Sequence, residues 1–130
     1  MKREFVVSTN LPAAPEVVFR AWMSTEGHTA MTGSPAAVEP RVGGAFTAWD
    51  RYITGKTLEL QPYSRIVQSW RTSEFSDGDP DSRIEVTLKE TEGGTKLRLS
   101  HSKLPEGQAV SYEQGWEESY FVPMRAFFSA

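Results

Sequence analysis

Apolar and polar positions alternate with a period of two through the middle of the chain, and a helical period takes over at its end. Ile84, Val86 and Leu88 alternate with Arg83, Glu85, Thr87 and Lys89. Leu97 and Leu99 alternate with Lys96 and Arg98, and the same parity places His101 on the apolar face. Such alternation predicts strands with one dry and one wet face, and so an antiparallel sheet. Glu92-Gly93-Gly94-Thr95 reads as the hairpin turn between these two strands. Weaker strand patterns cover 4–9, 45–50, 53–60 and 65–71. In them Phe5, Val7 and Thr9 share a face, as do Phe46, Ala48 and Asp50, and Ile66, Gln68 and Trp70. Trp49 then falls on the outer face. Over 53–60 either Thr57 and Glu59, or Leu58 and Leu60, point inward.

Two stretches carry the helical period instead. Residues 15–23 place Val18, Phe19 and Trp22 on one side, with Pro15 in the first turn, where its missing N–H costs nothing. Ser24 can cap a second short helix that Gly27 or Gly33 ends. After Pro105-Glu106-Gly107, a long C-terminal helix is predicted from Tyr112, Trp116, Tyr120 and Phe127, its apolar face widened by Phe121, Met124 and Phe128. Pro123 lies inside it and is expected to remove the hydrogen bond to the Ser119 carbonyl and kink the helix. The predicted architecture is α+β: a curved antiparallel sheet of about six strands around a long C-terminal helix, with two short helices after the first strand.

The chain's 130 residues, 38% apolar and 12% aromatic, suffice for one core, and one domain over 1–130 is expected. A net charge of −3 without any Lys/Arg run opposes nonspecific nucleic-acid binding. With no cysteine there is no disulfide, thiolate metal site or cysteine nucleophile. The apolar run in MKREFVVS is too short for a signal peptide or a membrane span, which predicts a cytoplasmic protein without membrane insertion.

The inward positions define a candidate cavity between sheet and helix. Phe46, Ala48, Asp50, Thr57, Gln68, Trp70, Leu99 and His101 come from the sheet, and Tyr112, Trp116, Ser119, Tyr120 and Met124 from the helix. An apolar space with a few polar groups suits a small apolar or amphipathic ligand. Each residue also has a plainer reading. His101 can be a satisfied histidine at a strand end, Asp50 can lie at a wet strand end, and Trp70 and Trp116 can be core. Gly115 reads as allowing close helix–sheet packing. No P-loop, dinucleotide fingerprint, H-E-x-x-H or G-x-S-x-G occurs, and no cofactor is implied. Asp77, Asp79 and Asp81 alternate in a loop but lack the EF-hand spacing, so a solvated acidic loop is the better account.

Four segments resemble one family in order and spacing. They are the early helix with Pro15, Val18 and Trp22; Gly43-Gly44-x-Phe46 leading to Gly55; Leu60-x-Pro62 followed by Ile66-Val67-x-x-Trp70-Arg71; and Leu104-Pro105 followed by Gln114-Gly115-Trp116. This pattern resembles the activator of heat shock protein 90 ATPase homologue family, within the START-like (SRPBCC) helix-grip superfamily. The stretches 34–39 and 114–128 are similar to the C-terminal domain of the eukaryotic co-chaperone. The resemblance implies a helix-grip fold, often with an internal cavity, and a link to stress response. It leaves three functions open. One is a non-catalytic domain binding a small ligand in the cavity. Another is a partner of a heat-shock-protein-90-type chaperone, through a patch around Trp49 and Tyr52 that could equally serve a homodimer. The third is a cyclase- or hydrolase-type enzyme, which needs Asp50, Glu59 and His101 to face one pocket.

Overall fold

The computed structural model describes residues 3–129. In chain order the elements are β1 (Phe5–Leu11), α1 (Pro15–Trp22), α2 (Thr25–Thr32), β2 (Ala37–Val38), β3 (Ala45–Ala48), β4 (Ile53–Gln61), β5 (Arg65–Thr72), β6 (Ser82–Thr91) and β7 (Gly94–Ser102), then α3 (Ala109–Gly115), a π-helical turn (Trp116–Phe121) and α4 (Val122–Ser129). The strands form one antiparallel sheet in the order β1-β7-β6-β5-β4-β3-β2. There are seven strands where the sequence pattern gave about six, because β2 is two residues long and too short to show a period.

The strongest alternations became the central strands. In β6 and β7, Ile84, Val86, Leu88, Leu97 and Leu99 are buried, and Leu88 stands opposite Leu97. Val18, Phe19 and Trp22 of α1 join the same core, as do Trp116, Tyr120, Phe121 and Met124 of the C-terminal helix. Ser24 caps α2 by accepting from the Gly27 N–H, and Gly33, at φ 79°, closes it in the left-handed conformation that favours glycine. Gly55 meets a different demand: a Cβ there would lie 2.0 Å from the Ser69 carbonyl oxygen, so only glycine fits between β4 and β5.

Three local expectations change. Strand β3 stops at Ala48, and Trp49, Asp50 and Arg51 turn through positive φ of 52°, 54° and 70°. Asp50 is therefore exposed rather than inward, and Trp49 swings back to pack partly against the core rather than standing on the outer face. In β4 a register shift between Thr57 and Glu59 switches faces: Thr57 is buried, Leu58 and Glu59 are exposed, and Leu60 packs inward again. A β-bulge thus resolves the two readings of this strand by using each in turn. Phe127, expected on the buried face of the helix, is exposed.

Pro123 is accommodated by a change of helix type. The Val122 N–H reaches back to the Glu117 carbonyl, five residues earlier, across the π-helical turn. The wider turn lies immediately before the residue that lacks a donor, and α4 continues from it.

Candidate functional site

The space expected between sheet and helix is largely filled by aromatic rings. Trp22 stacks on Trp116 at 6.2 Å between ring centroids, Trp116 packs on Tyr120 at 4.6 Å, and Trp70 meets His101 edge-on at 4.5 Å. Three hydrogen-bonded groups sit within this packing, and their proton positions follow from which atoms can only donate or only accept. The Trp116 indole N–H donates to His101 Nδ1 at 3.0 Å. His101 Nε2–H therefore donates to Ser82 Oγ at 2.9 Å, and the Ser82 hydroxyl donates to the Trp70 carbonyl at 2.6 Å. His28 Nδ1–H donates to the Trp22 carbonyl at 2.9 Å, leaving Nε2 to accept from the Tyr120 hydroxyl at 2.7 Å. Gln68 accepts from Trp22 Nε1 and donates to Thr57 Oγ1.

Burial sets the charge of these groups. It lowers the His101 pKa to about 3 and the His28 pKa to about 4, so both are neutral near pH 7. It raises that of Tyr120, which keeps its proton. His101, fully buried and with both ring nitrogens engaged, is a structural histidine here. Asp50 and Glu59 are exposed, so the three residues an acid–base site required do not meet. Among the described residues no three His, Asp or Glu side chains come together as a metal site would need. In the acidic loop, Asp81 pairs with Arg71 at 2.7 Å.

A pocket of about 340 Å³ opens where the β3–β4 turn faces the C-terminal helix. Trp49, Tyr52, Ile53 and Trp70 form one side; Ser111, Tyr112, Gly115, Trp116, Ser119 and Tyr120 form the other. Of the positions singled out from sequence, Trp70, Trp116 and Tyr120 line it, and so do the helix positions Tyr112 and Ser119. Phe46, Ala48, Thr57, Gln68, Leu99, His101 and Met124 are buried away from it, and Asp50 is on the surface. Trp49, Tyr52, Ile53, Ser111 and Gly115 were not among those cavity positions. Trp49 and Tyr52 belong to a turn whose left-handed backbone no alternation rule anticipates. Gly115 carried a usable signal, a glycine inside a helix flanked by Ser111 and Ser119 at four-residue spacing. Its role is the reverse of close packing: a Cβ built there meets nothing within 4 Å.

The pocket's polar groups are mostly committed. Tyr112 donates to Gln108 Oε1 at 2.6 Å and lies 2.7 Å from the Thr72 hydroxyl. Tyr52 donates to the Glu74 carboxylate, and burial, with that bond, pushes its pKa up to about 12. No charged side chain lines the space. It can bind a neutral surface, and it holds no general acid or base that titrates near neutrality.

The sequence profile of the family described as "Activator of Hsp90 ATPase homolog 1-like protein" matches residues 12–128. The chain belongs to this family. A curated relative, the mouse (Mus musculus) activator of 90 kDa heat shock protein ATPase homolog 1, is 30% identical over 115 residues, covering 88% of this chain and 34% of that protein. The human homolog 1 is 29% identical over the same length. The chain thus spans about a third of the length of these curated relatives. Among solved structures, an HSP90 activator from Plasmodium falciparum has TM-score 0.90 at 25% identity, covering 98% of this chain and 97% of that one. CalU16 from Micromonospora echinospora has TM-score 0.80 at 25% identity over 97% of this chain and 76% of that one. The activator-homologue fold is therefore shared with proteins of different description. No helix among the described residues is long and apolar enough to cross a membrane.

Proposed function

We propose that this member of the Hsp90 ATPase activator homologue family is a non-catalytic binding domain that seats a small apolar or amphipathic molecule in the pocket between the β3–β4 turn and the C-terminal helix. The observation that carries this reading is Gly115. Glycine inside a helix costs about 1 kcal/mol relative to alanine. That cost is normally offset where a neighbour needs the room, yet nothing lies within 4 Å of where its Cβ would be. Open space faced with six aromatic side chains is instead what an apolar ligand needs. The volume, about 340 Å³, sits at the small end of ligand pockets. The test is a titration with 1-aminoanthracene, a neutral fluorescent probe of apolar sites. The wild-type protein should bind it saturably, with enhanced emission, and Gly115→Leu, which fills the space, should not. Equal binding by a folded Gly115→Leu protein would remove this reading.

One observation favours a second role: the match along nearly the whole length of the Plasmodium falciparum HSP90 activator. In this reading the domain contacts an Hsp90-type chaperone through the rim of the pocket, where Tyr52 is partly exposed and Trp49 half-buried. A purified Hsp90-type chaperone should then bind the protein and show a changed ATPase rate. The absence of both effects excludes this role, and Trp49→Ala should weaken both if the rim is the contact.

A further inference from the structure

The four tryptophans divide by what their indole N–H groups reach. The two deepest are satisfied: Trp22 donates to Gln68 Oε1 and Trp116 to His101 Nδ1. The two on the sheet side of the pocket are not. Trp49 Nε1 is sealed from solvent without a partner. Trp70 Nε1 donates to no described residue either, and it is not sealed, although its ring is only 3% exposed. A nearly buried ring with an accessible, unpaired donor, lining a pocket, presents that donor to whatever occupies the pocket. Across the space, the Ser111 and Ser119 hydroxyls also have no described partner. The tyrosine hydroxyls, by contrast, are already donating to Glu74, Gln108 and His28.

Resting on the ligand-binding reading above, we infer that the pocket selects neutral, flat molecules bearing a carbonyl-type oxygen, and that the Trp70 indole N–H receives that oxygen. Flatness follows from the lining, where six aromatic side chains face a space of about 340 Å³ and offer ring faces and edges for a planar molecule to pack on. Neutrality follows from a lining without a charged side chain, where an ionised group would lose its hydration without a counter-charge. The acceptor follows from the excess of donors. A pocket built only for apolar contact would present a phenylalanine at position 70 equally well.

A matched pair of probes isolates the acceptor: 9-fluorenone and fluorene have nearly the same shape and differ in one carbonyl. Binding is followed through the indole N–H resonances, assigned with single Trp→Phe variants. Fluorenone should bind about tenfold more tightly than fluorene, the scale of one hydrogen bond to an otherwise unpaired donor. The Trp70 N–H signal should move downfield with fluorenone only, and those of Trp22 and Trp116 should not. Trp70→Phe loses no hydrogen bond within the protein and should abolish the preference. Equal affinity for the two probes, or a Trp70 signal that ignores the carbonyl, overturns the inference while leaving the pocket as a site. Failure of both probes to bind overturns the inference together with the reading it rests on. If Trp70→Phe does not fold, the wild-type Trp70 signal still decides between these outcomes.

Discussion

His101 illustrates how a titratable side chain becomes part of a core. Its Nδ1 can only accept from Trp116, its Nε2–H goes to Ser82, and burial holds it neutral with a pKa near 3. His28 is held in the same way, near 4, between Trp22 and Tyr120. Each binds a proton more readily in the unfolded chain, where a histidine titrates near 6.5. The folded state therefore binds fewer protons below that value, and stability falls as the pH drops. The contribution is complete above about pH 6.5 and is lost progressively from there toward the folded values of about 4 and 3. Urea denaturation between pH 7 and 4 should show a loss of a few kcal/mol, reduced in a His28→Gln variant. A flat profile would contradict neutral burial of the two histidines. Trp116→Phe removes a donor from a buried acceptor and should cost about 2 kcal/mol or more. Trp70→Phe breaks no hydrogen bond and should cost less. Reversal of that order in thermal or chemical denaturation would contradict the hydrogen-bond assignment.

At the level of elements, the glycines separate structure from function. Gly55→Ala must push a Cβ against the Ser69 carbonyl and should destabilise the protein markedly. Gly115→Ala places its Cβ in open space within a helix and should stabilise by roughly 0.5–1 kcal/mol. Melting temperatures of the two variants check both signs at once, and a destabilised Gly115→Ala would show that the helix needs glycine there for packing. The elements also mark how far sequence patterning reaches. β6 and β7 were legible because each alternates cleanly, with its dry face on one core. β3 and β4 were legible as strands but not in their facing. A bulge at Thr57–Glu59 and a left-handed turn at Trp49–Arg51 reverse parity locally, and period-two reasoning assumes that parity persists. Pro123 signalled a disturbance of the helix correctly. The form that disturbance takes, a π-helical turn from Trp116 to Phe121, is not specified by the apolar spacing of the helix.

For the molecule as a whole, the succession of elements along the chain and the placement of the C-terminal helix against the sheet followed from hydrophobic pattern and a family resemblance carried by motifs spread along the chain. The position of the pocket did not. The inward-facing list assumed that the space between sheet and helix is hollow. Its volume is instead decided by side-chain size, and Trp22, Trp70, Trp116, Tyr120 and His101 fill the deep part. What remains is a shallower opening at one end, bounded by a turn whose conformation the pattern does not encode and by Gly115, whose missing side chain leaves room. The same packing separates Asp50 and Glu59 at the surface from His101 in the core, so these three residues share no pocket. The most direct test is a crystal structure of the protein grown with 1-aminoanthracene. Electron density for the probe between Gly115 and the Trp70 ring, with Trp49 and Tyr52 closing over it, is the predicted result. An empty pocket, with the probe absent or held only on the outer surface, would contradict it.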